Sequence, residues 1–252
     1  MGRIVSGAKV QGIVDERIEL TYPGARVLFS TRRGGVSEGP YDSLNLGILT
    51  DDEQARVAEN RRRLAAGAGL DPKRVAMGWQ VHGTDVRDWI RPPSGGASAE
   101  PGASLERVDG HTTTIARLGL LALAADCLPV ALVAPGRVAM LHCGWRGLAA
   151  GIVERALERF DTPPRAAIGP GIGRFCYKVG DEVLAEFSDL EGVASGRMLD
   201  LKAVARAKLE AGAAIAIDDV SLCTSCRPDL FFSHRRDHGV TGRQGGLVWL
   251  RG

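Results

Sequence analysis

The sequence predicts an α+β fold, a single domain over residues 1–252 with mixed β-sheets in a sandwich covered by helices. Three observations predict it. Short apolar runs bounded by Gly, Pro and polar turns follow one another through the middle of the chain, the mark of consecutive strands. Helical periodicity is confined to three separated stretches, which argues against regular βαβ alternation. The 252 residues, 44% hydrophobic and 25% charged, match an ordinary globular protein with enough chain for a large core.

In chain order, strands are expected at 26–30 (RVLFS), 74–83 (RVAMGWQVHG), within 119–135 (GLLALAADCLPVALVAP), at 137–145 (RVAMLHCGW), 165–173 (RAAIGPGIG) and 246–251 (GLVWLR). Helices are expected at 51–70, where Val57, Leu64 and Ala68 share a face, and at 147–160 and 199–213. Residues 91–107 (RPPSGGASAEPGASLER) have no period and read as a long surface loop. The Arg61-Arg62-Arg63 run, on the first helix beside Asp52 and Glu59, reads as a solvated face.

With 32 Lys and Arg against 30 Asp and Glu, the net charge of +2 offers no broad footprint for nucleic acid. No run approaches the ~18 apolar residues of a membrane span, and MGRIVSGAKVQGIVDER lacks the apolar core of a secretory signal. The expectation is a cytoplasmic protein with a small-molecule partner. Five cysteines, unevenly spaced, do not suggest a disulfide framework.

Three of the expected strands end on a metal-competent side chain followed by a chain reversal: His82, Cys127 and His142. If those strands adjoin, the tips converge into two imidazoles and a thiolate. That donor set suits Zn²⁺ with a fourth position open, the pattern of a catalytic site. Such an ion polarises a bound oxygen. Two other readings fit the same residues: Cys127 as a nucleophile with His142 or His82 as its base, and a buried inert cysteine beside two satisfied histidines. Glycine-rich, arginine-bearing turns surround the trio. Arg32 and Arg33 precede paired glycines, and Arg146 starts the helix after His142, so phosphate is a reasonable ligand. CTSC (223–226) lacks a second ligand pair unless His234 and His238 are recruited. GPGIG (169–173) lacks the last glycine of a dinucleotide turn, and His111 carries no partner signal.

Together FSTRRGGVSEGPYDSLNLG, WQVHGTDV, LALAADCLPVAL, LHCGWRGLAAGIVE, IGPGIGRFCYKVGDEV and CTSCRPDLFFSHRRDHGVTGRQ resemble the bacterial relatives of the human laccase-domain-containing protein, long labelled polyphenol oxidase or laccase-like. The resemblance runs from about Phe29 to the C-terminus. It implies a zinc enzyme that phosphorolyses adenosine, inosine, guanosine and methylthioadenosine and deaminates adenosine, with zinc on His82, Cys127 and His142 and inorganic phosphate as co-substrate. It also implies an α+β sandwich likened to cysteine-hydrolase toxins. Gly171, Arg174 and Phe175 stand where extra cysteines are more usual, and Lys178 replaces a commonly acidic residue; the three ligand positions are untouched.

Within that reading Arg32, Arg33 and Arg146 are the phosphate candidates, with Arg235 and Arg236 behind them. Asn45, Asp109 and Asp126 are candidates for base or ribose contacts, Asp126 alternatively as the group that orients a histidine. Trp79 or Phe231 could stack on a purine. The alternatives are a copper-dependent polyphenol oxidase and a zinc-free cysteine hydrolase. Five histidines are too few for a multicopper oxidase once His82 and His142 are assigned, although Cu²⁺ can occupy the trio in vitro.

Overall fold

A computed structural model describes residues 9–14 as backbone, 17–94 and 105–252. The chain opens with β1 (Lys9–Val14), β2 (Arg17–Tyr22), β3 (Ala25–Ser30), α1 (Gln54–Gly67), β4 (Val75–Ala76), β5 (Val86–Trp89) and β6 (Gly110–Thr113). Its middle is β7 (Gly119–Ala124), β8 (Leu128–Ala134), β9 (Arg137–Cys143), α2 (Trp145–Ala150), α3 (Ile152–Leu157) and β10 (Arg165–Ile168). It closes with α4 (Asp181–Ala185), β11 (Ala194–Ser195), β12 (Met198–Leu199), α5 (Leu201–Ala211), β13 (Ala216–Asp219) and β14 (Gln244–Leu250). No described helix is long and apolar enough to cross a membrane.

Two six-stranded mixed sheets form the frame, in spatial order β1-β2-β3-β14-β7-β4 and β13-β10-β8-β9-β6-β5. Alternate side chains on each strand serve different layers, the period-two consequence of the pleat. Phe29 and Val27, Leu120 and Ala122, and Val248 from the first sheet pack against Ala131, Val133, Val138 and Met140 of the second. The opposite face of the first sheet, with Leu28, Leu121 and Leu247, meets Leu64 and Ala65 of α1 and Ala68 just past its end. The opposite face of the second, with Leu128, Val130, Leu132, Ala139 and Leu141, meets Leu148, Ile152, Val153, Val204 and Leu209 of α2, α3 and α5. Burial on both faces explains why the central strands read as unbroken apolar runs rather than alternating ones.

The structure sharpens several expectations. The run 119–135 is two strands in different sheets, joined by a corner at Ala125, Asp126 and Cys127. The strand expected over 74–83 shrinks to Val75–Ala76. Beyond it Gln80 takes over the pairing positions on β7, its amide donating to the Leu123 carbonyl at 2.7 Å and its carbonyl accepting the Leu123 N–H at 2.7 Å. Residues 95–104 of the expected surface loop lie outside the described residues, as does the stretch 1–8. The Arg61-Arg62-Arg63 run is not wholly solvated. Arg62 and Arg63 pair with Glu59 at the surface, but Arg61 is buried under the loop after β3 and donates from Nε to the Leu46 carbonyl at 2.8 Å.

Candidate active site

The chain passes from the first sheet to the second at the Asp126–Cys127 corner, and the site forms at this seam. Asp126 has φ of 99°, a costly conformation for a residue with a Cβ. Its carboxylate is held on both oxygens, by the Thr224 hydroxyl at 2.6 Å and the Arg235 N–H at 2.7 Å, and its carbonyl accepts the Ile172 N–H at 2.9 Å. The corner so fixed points Cys127 toward β9, where His142 pairs with Pro129 one residue from the strand end.

His82 arrives on a loop rather than on a strand tip, with φ of 59°. One carboxylate sets it there. Asp109 accepts the consecutive N–H groups of Val81, His82 and Gly83 at 3.0, 2.9 and 2.8 Å. The same carboxylate lies 2.7 Å from His142 Nδ1, and the Asp109 carbonyl accepts the His142 N–H at 2.8 Å. With Nδ1–H committed to Asp109, the ring leaves Nε2 free to act as a ligand. Orienting a histidine is therefore the part of Asp109, while Asp126 braces the corner through Thr224 and Arg235.

His82, Cys127 and His142 bring one ligand atom each within 4.8 Å of one another. The histidine rings meet edge to face with centroids 4.8 Å apart. Gly144 makes the approach possible: a Cβ there would meet His82 Cδ2 at 2.8 Å and Cys127 Sγ at 3.0 Å. Burial pushes the Cys127 thiol up, but the charge and hydrogen bonds of His142 and His82 outweigh it and bring it down to about 6. Burial works against the His142 imidazolium, yet the Cys127 charge and the Asp109 carboxylate raise it to about 9. Burial also opposes the Asp109 charge, and His142 and the three N–H groups hold its carboxyl below the usual carboxylate range. Two imidazoles and a readily ionised thiol fit a borderline-soft divalent ion such as Zn²⁺.

The trio opens into a pocket of about 480 Å³, within the range of small-molecule sites. Trp79, Leu123, Trp145 and Tyr177 give it apolar walls, and Arg146, Arg235 and Arg243 give it positive charge. Arg146 stacks on Trp145 at 4.4 Å and Arg235 on Tyr177 at 5.1 Å. Burial pushes the Tyr177 phenol up to about 12, the Cys127 charge adding to it, so it stays a hydrogen-bond donor at neutral pH.

Several expected site residues lie elsewhere. Arg32 donates to the Asp42 and Pro228 carbonyls at 2.5 and 3.1 Å and stacks on Phe232, and Arg33 donates to the Asp229 carbonyl at 2.9 Å; neither lines the pocket. Asn45 is fully buried and spends its amide on Thr50, Asp52 and the N–H groups of Gly47 and Arg243. Arg236 binds Asp237 and the Thr224 and Phe231 carbonyls, and Phe231 is core. Arg146, Arg235, Asp126 and Trp79 do line the pocket, and Arg243, Trp145 and Tyr177 join them without having been expected. CTSC finds a partner in Cys176 rather than in His234 or His238.

A family model described as multi-copper polyphenol oxidoreductase laccase matches residues 26–251. Purine nucleoside phosphorylase YlmD of Geobacillus stearothermophilus is 36% identical over 252 residues, covering 91% of this chain and 92% of the relative. Purine nucleoside phosphorylase YfiH of Escherichia coli is 37% identical over 240 residues, covering 90% and 94%. The crystal structure of YlmD from Geobacillus stearothermophilus superposes with a TM-score of 0.85 at 32% identity, over 98% of this chain and 100% of that one. That of Bacillus licheniformis hypothetical protein YfiH gives 0.85 at 30%, over 94% and 97%.

Proposed function

Because the chain belongs to the laccase-domain family that includes the purine nucleoside phosphorylases YlmD and YfiH, we propose that it is a zinc-dependent purine nucleoside phosphorylase. Its substrates in this reading are adenosine, inosine, guanosine and methylthioadenosine with inorganic phosphate, and it deaminates adenosine as well. One observation carries the proposal: the His82, Cys127 and His142 trio opens into the same pocket as the aromatic walls and the Arg146, Arg235 and Arg243 guanidiniums. Flat apolar walls suit a purine, and arginine suits phosphate through paired N–H donors.

His82, Cys127 and His142 would hold the zinc, which when bound supplies Lewis-acid polarisation of an oxygen. The protein's own groups do the rest. Asp109 keeps the His142 ring and the His82 backbone in place. The arginines neutralise phosphate and align it with the ribose, a positioning contribution. In phosphorolysis a phosphate oxygen bonds to C1′, the C1′–N9 bond breaks, and the purine leaves with its electron pair and takes up a proton. Tyr177 lines the pocket with its phenol protonated at neutral pH, and in this reading it donates a hydrogen bond to the bound nucleoside.

A multicopper oxidase is the rival reading. His111 is buried against Trp89, and the other metal-competent cluster among the described residues contains cysteines alone. A trinuclear copper centre needs many further imidazoles. The deciding experiment incubates metal-quantified protein with adenosine, inosine and methylthioadenosine, with and without phosphate. Free base released only with phosphate, and lost in Cys127→Ala, is the expected result. No turnover of any nucleoside by zinc-loaded protein would overturn the reading, and catechol oxidation at native metal content would favour the rival.

A further inference from the structure

A second set of sulfurs converges beside the pocket wall. Cys176, Cys223 and Cys226 hold their Sγ atoms within 4.8 Å of one another, with Cys176 and Cys226 at 3.3 Å. Two segments distant in sequence meet there: the loop after β10 carries Cys176, and the turn after β13 carries the other two. Zn²⁺ in tetrahedral geometry, with Zn–S bonds of ~2.3 Å, spaces its sulfurs about 3.8 Å apart, about half an ångström more than the Cys176–Cys226 separation and within the limit that holds the whole trio.

The backbone around the trio suits a charged sulfur. Cys223 Sγ accepts the N–H of Gly173 at 3.2 Å and that of Cys226 across the turn. Hydrogen bonds of this kind favour the thiolate over the thiol. Gly173 gives the sulfur room, since a Cβ there would crowd Cys223 Cβ at 3.1 Å and Sγ at 3.2 Å. A bridge between Gly171 and Cys223, and the Thr224 N–H on the Gly171 carbonyl at 3.0 Å, keep the two segments in register.

We propose that Cys176, Cys223 and Cys226 form a second metal site that takes Zn²⁺, with solvent in the fourth position beside the exposed Cys226. Three sulfur donors select a thiophilic ion over Mg²⁺ or Ca²⁺. Binding is ligand exchange with no change of oxidation state: as each Zn–S bond forms, a thiol still protonated gives its proton to solvent. The ion clamps the pocket wall. Tyr177 follows Cys176 directly, and Thr224, inside the turn, donates to Asp126 beside Cys127. The proposal holds whatever reaction the first site performs. A Cys176–Cys226 disulfide is the competing use of these residues, and it would leave Cys223 with its two N–H donors unexplained.

The test strips the reduced, intact chain with a chelator and titrates it with Zn²⁺ and with Co²⁺, counting bound ions by native mass spectrometry. Two equivalents are expected for the wild type, and one each for Cys127→Ala and for the combined Cys176→Ser, Cys223→Ser, Cys226→Ser variant. Sulfur-to-cobalt charge-transfer absorption should be about three times stronger in Cys127→Ala than in the combined variant, three sulfurs against one. The surface change Cys226→Ser alone guards against misfolding; it should weaken one equivalent at least tenfold and leave the other unchanged. One equivalent in the wild type and none in Cys127→Ala would overturn the proposal. So would a chain isolated about 2 Da light through a Cys176–Cys226 link that takes up one equivalent after reduction.

Discussion

Asp109 meets both histidines of the site, gathering three N–H groups of the His82 loop and the His142 ring on two oxygens. Groups that orient a ligand in this way typically govern metal affinity by 10- to 100-fold. Asp109→Asn should therefore weaken zinc binding by about that factor in a chelator competition, with the fold retained by circular dichroism; wild-type affinity would show that Asp109 does not position the ligands. A second buried group gives a pH signature. Burial holds the His111 imidazole down to about 4, and its Nδ1 accepts the Trp89 indole N–H at 3.2 Å, so the ring is neutral in the fold. In the unfolded chain it titrates near ~6.5. Between these values the unfolded state binds a proton that the folded state refuses, so this contribution is complete above ~6.5 and is lost as pH falls toward 4. Urea midpoints measured across that window should fall less steeply for His111→Gln than for the wild type.

At the scale of elements, single positions decide how α1 and α2 meet the loops beside them. Asn60 on α1 donates to Ser37 Oγ and to the Ser43 and Asn45 carbonyls and accepts the Val36 N–H, so one amide organises the loop between β3 and α1. Asn60→Ala takes their side-chain partner from the Val36 N–H and the Asn45 carbonyl and should cost about 2–3 kcal/mol, read as a Tm lower by roughly 5–10 °C. Gly144, which precedes α2, has an ordinary φ of −82°, so space rather than conformation demands glycine. Gly144→Ala should displace His82 and reduce zinc affinity at least tenfold by calorimetry; unchanged affinity would show that the loop yields to the methyl group without losing its ligand geometry.

For the whole molecule, the trio joins a loop beside β4, the corner between the sheets, and β9, so a bound ion stabilises the sandwich as well as the site. Zinc at 100 times its Kd should stabilise the fold by about 2.7 kcal/mol through this site, and Cys127→Ala should lose that increment in thermal unfolding. Much of this arrangement was legible in the sequence because it follows local rules: apolar runs with both faces buried, and Cys127 and His142 at the ends of such runs. What was not legible depends on partners far along the chain. The charge on Arg61 gave no sign that the Leu46 carbonyl would cover it. Arg32 and Arg33 look like anion ligands until the fold sets them outside the pocket, on the carbonyls of Asp42, Pro228 and Asp229. Cys176 had no visible link to the CTSC turn until β10 and β13 paired in parallel. The crossing at Cys127 also bears on folding kinetics. Cys127 directly precedes β8, His142 lies on β9, and Asp109, directly before β6, holds the His82 loop, so the strands of one sheet carry all three ligands; a collapse intermediate with that sheet alone formed should already capture the ion, and metal uptake then precedes docking of the other sheet.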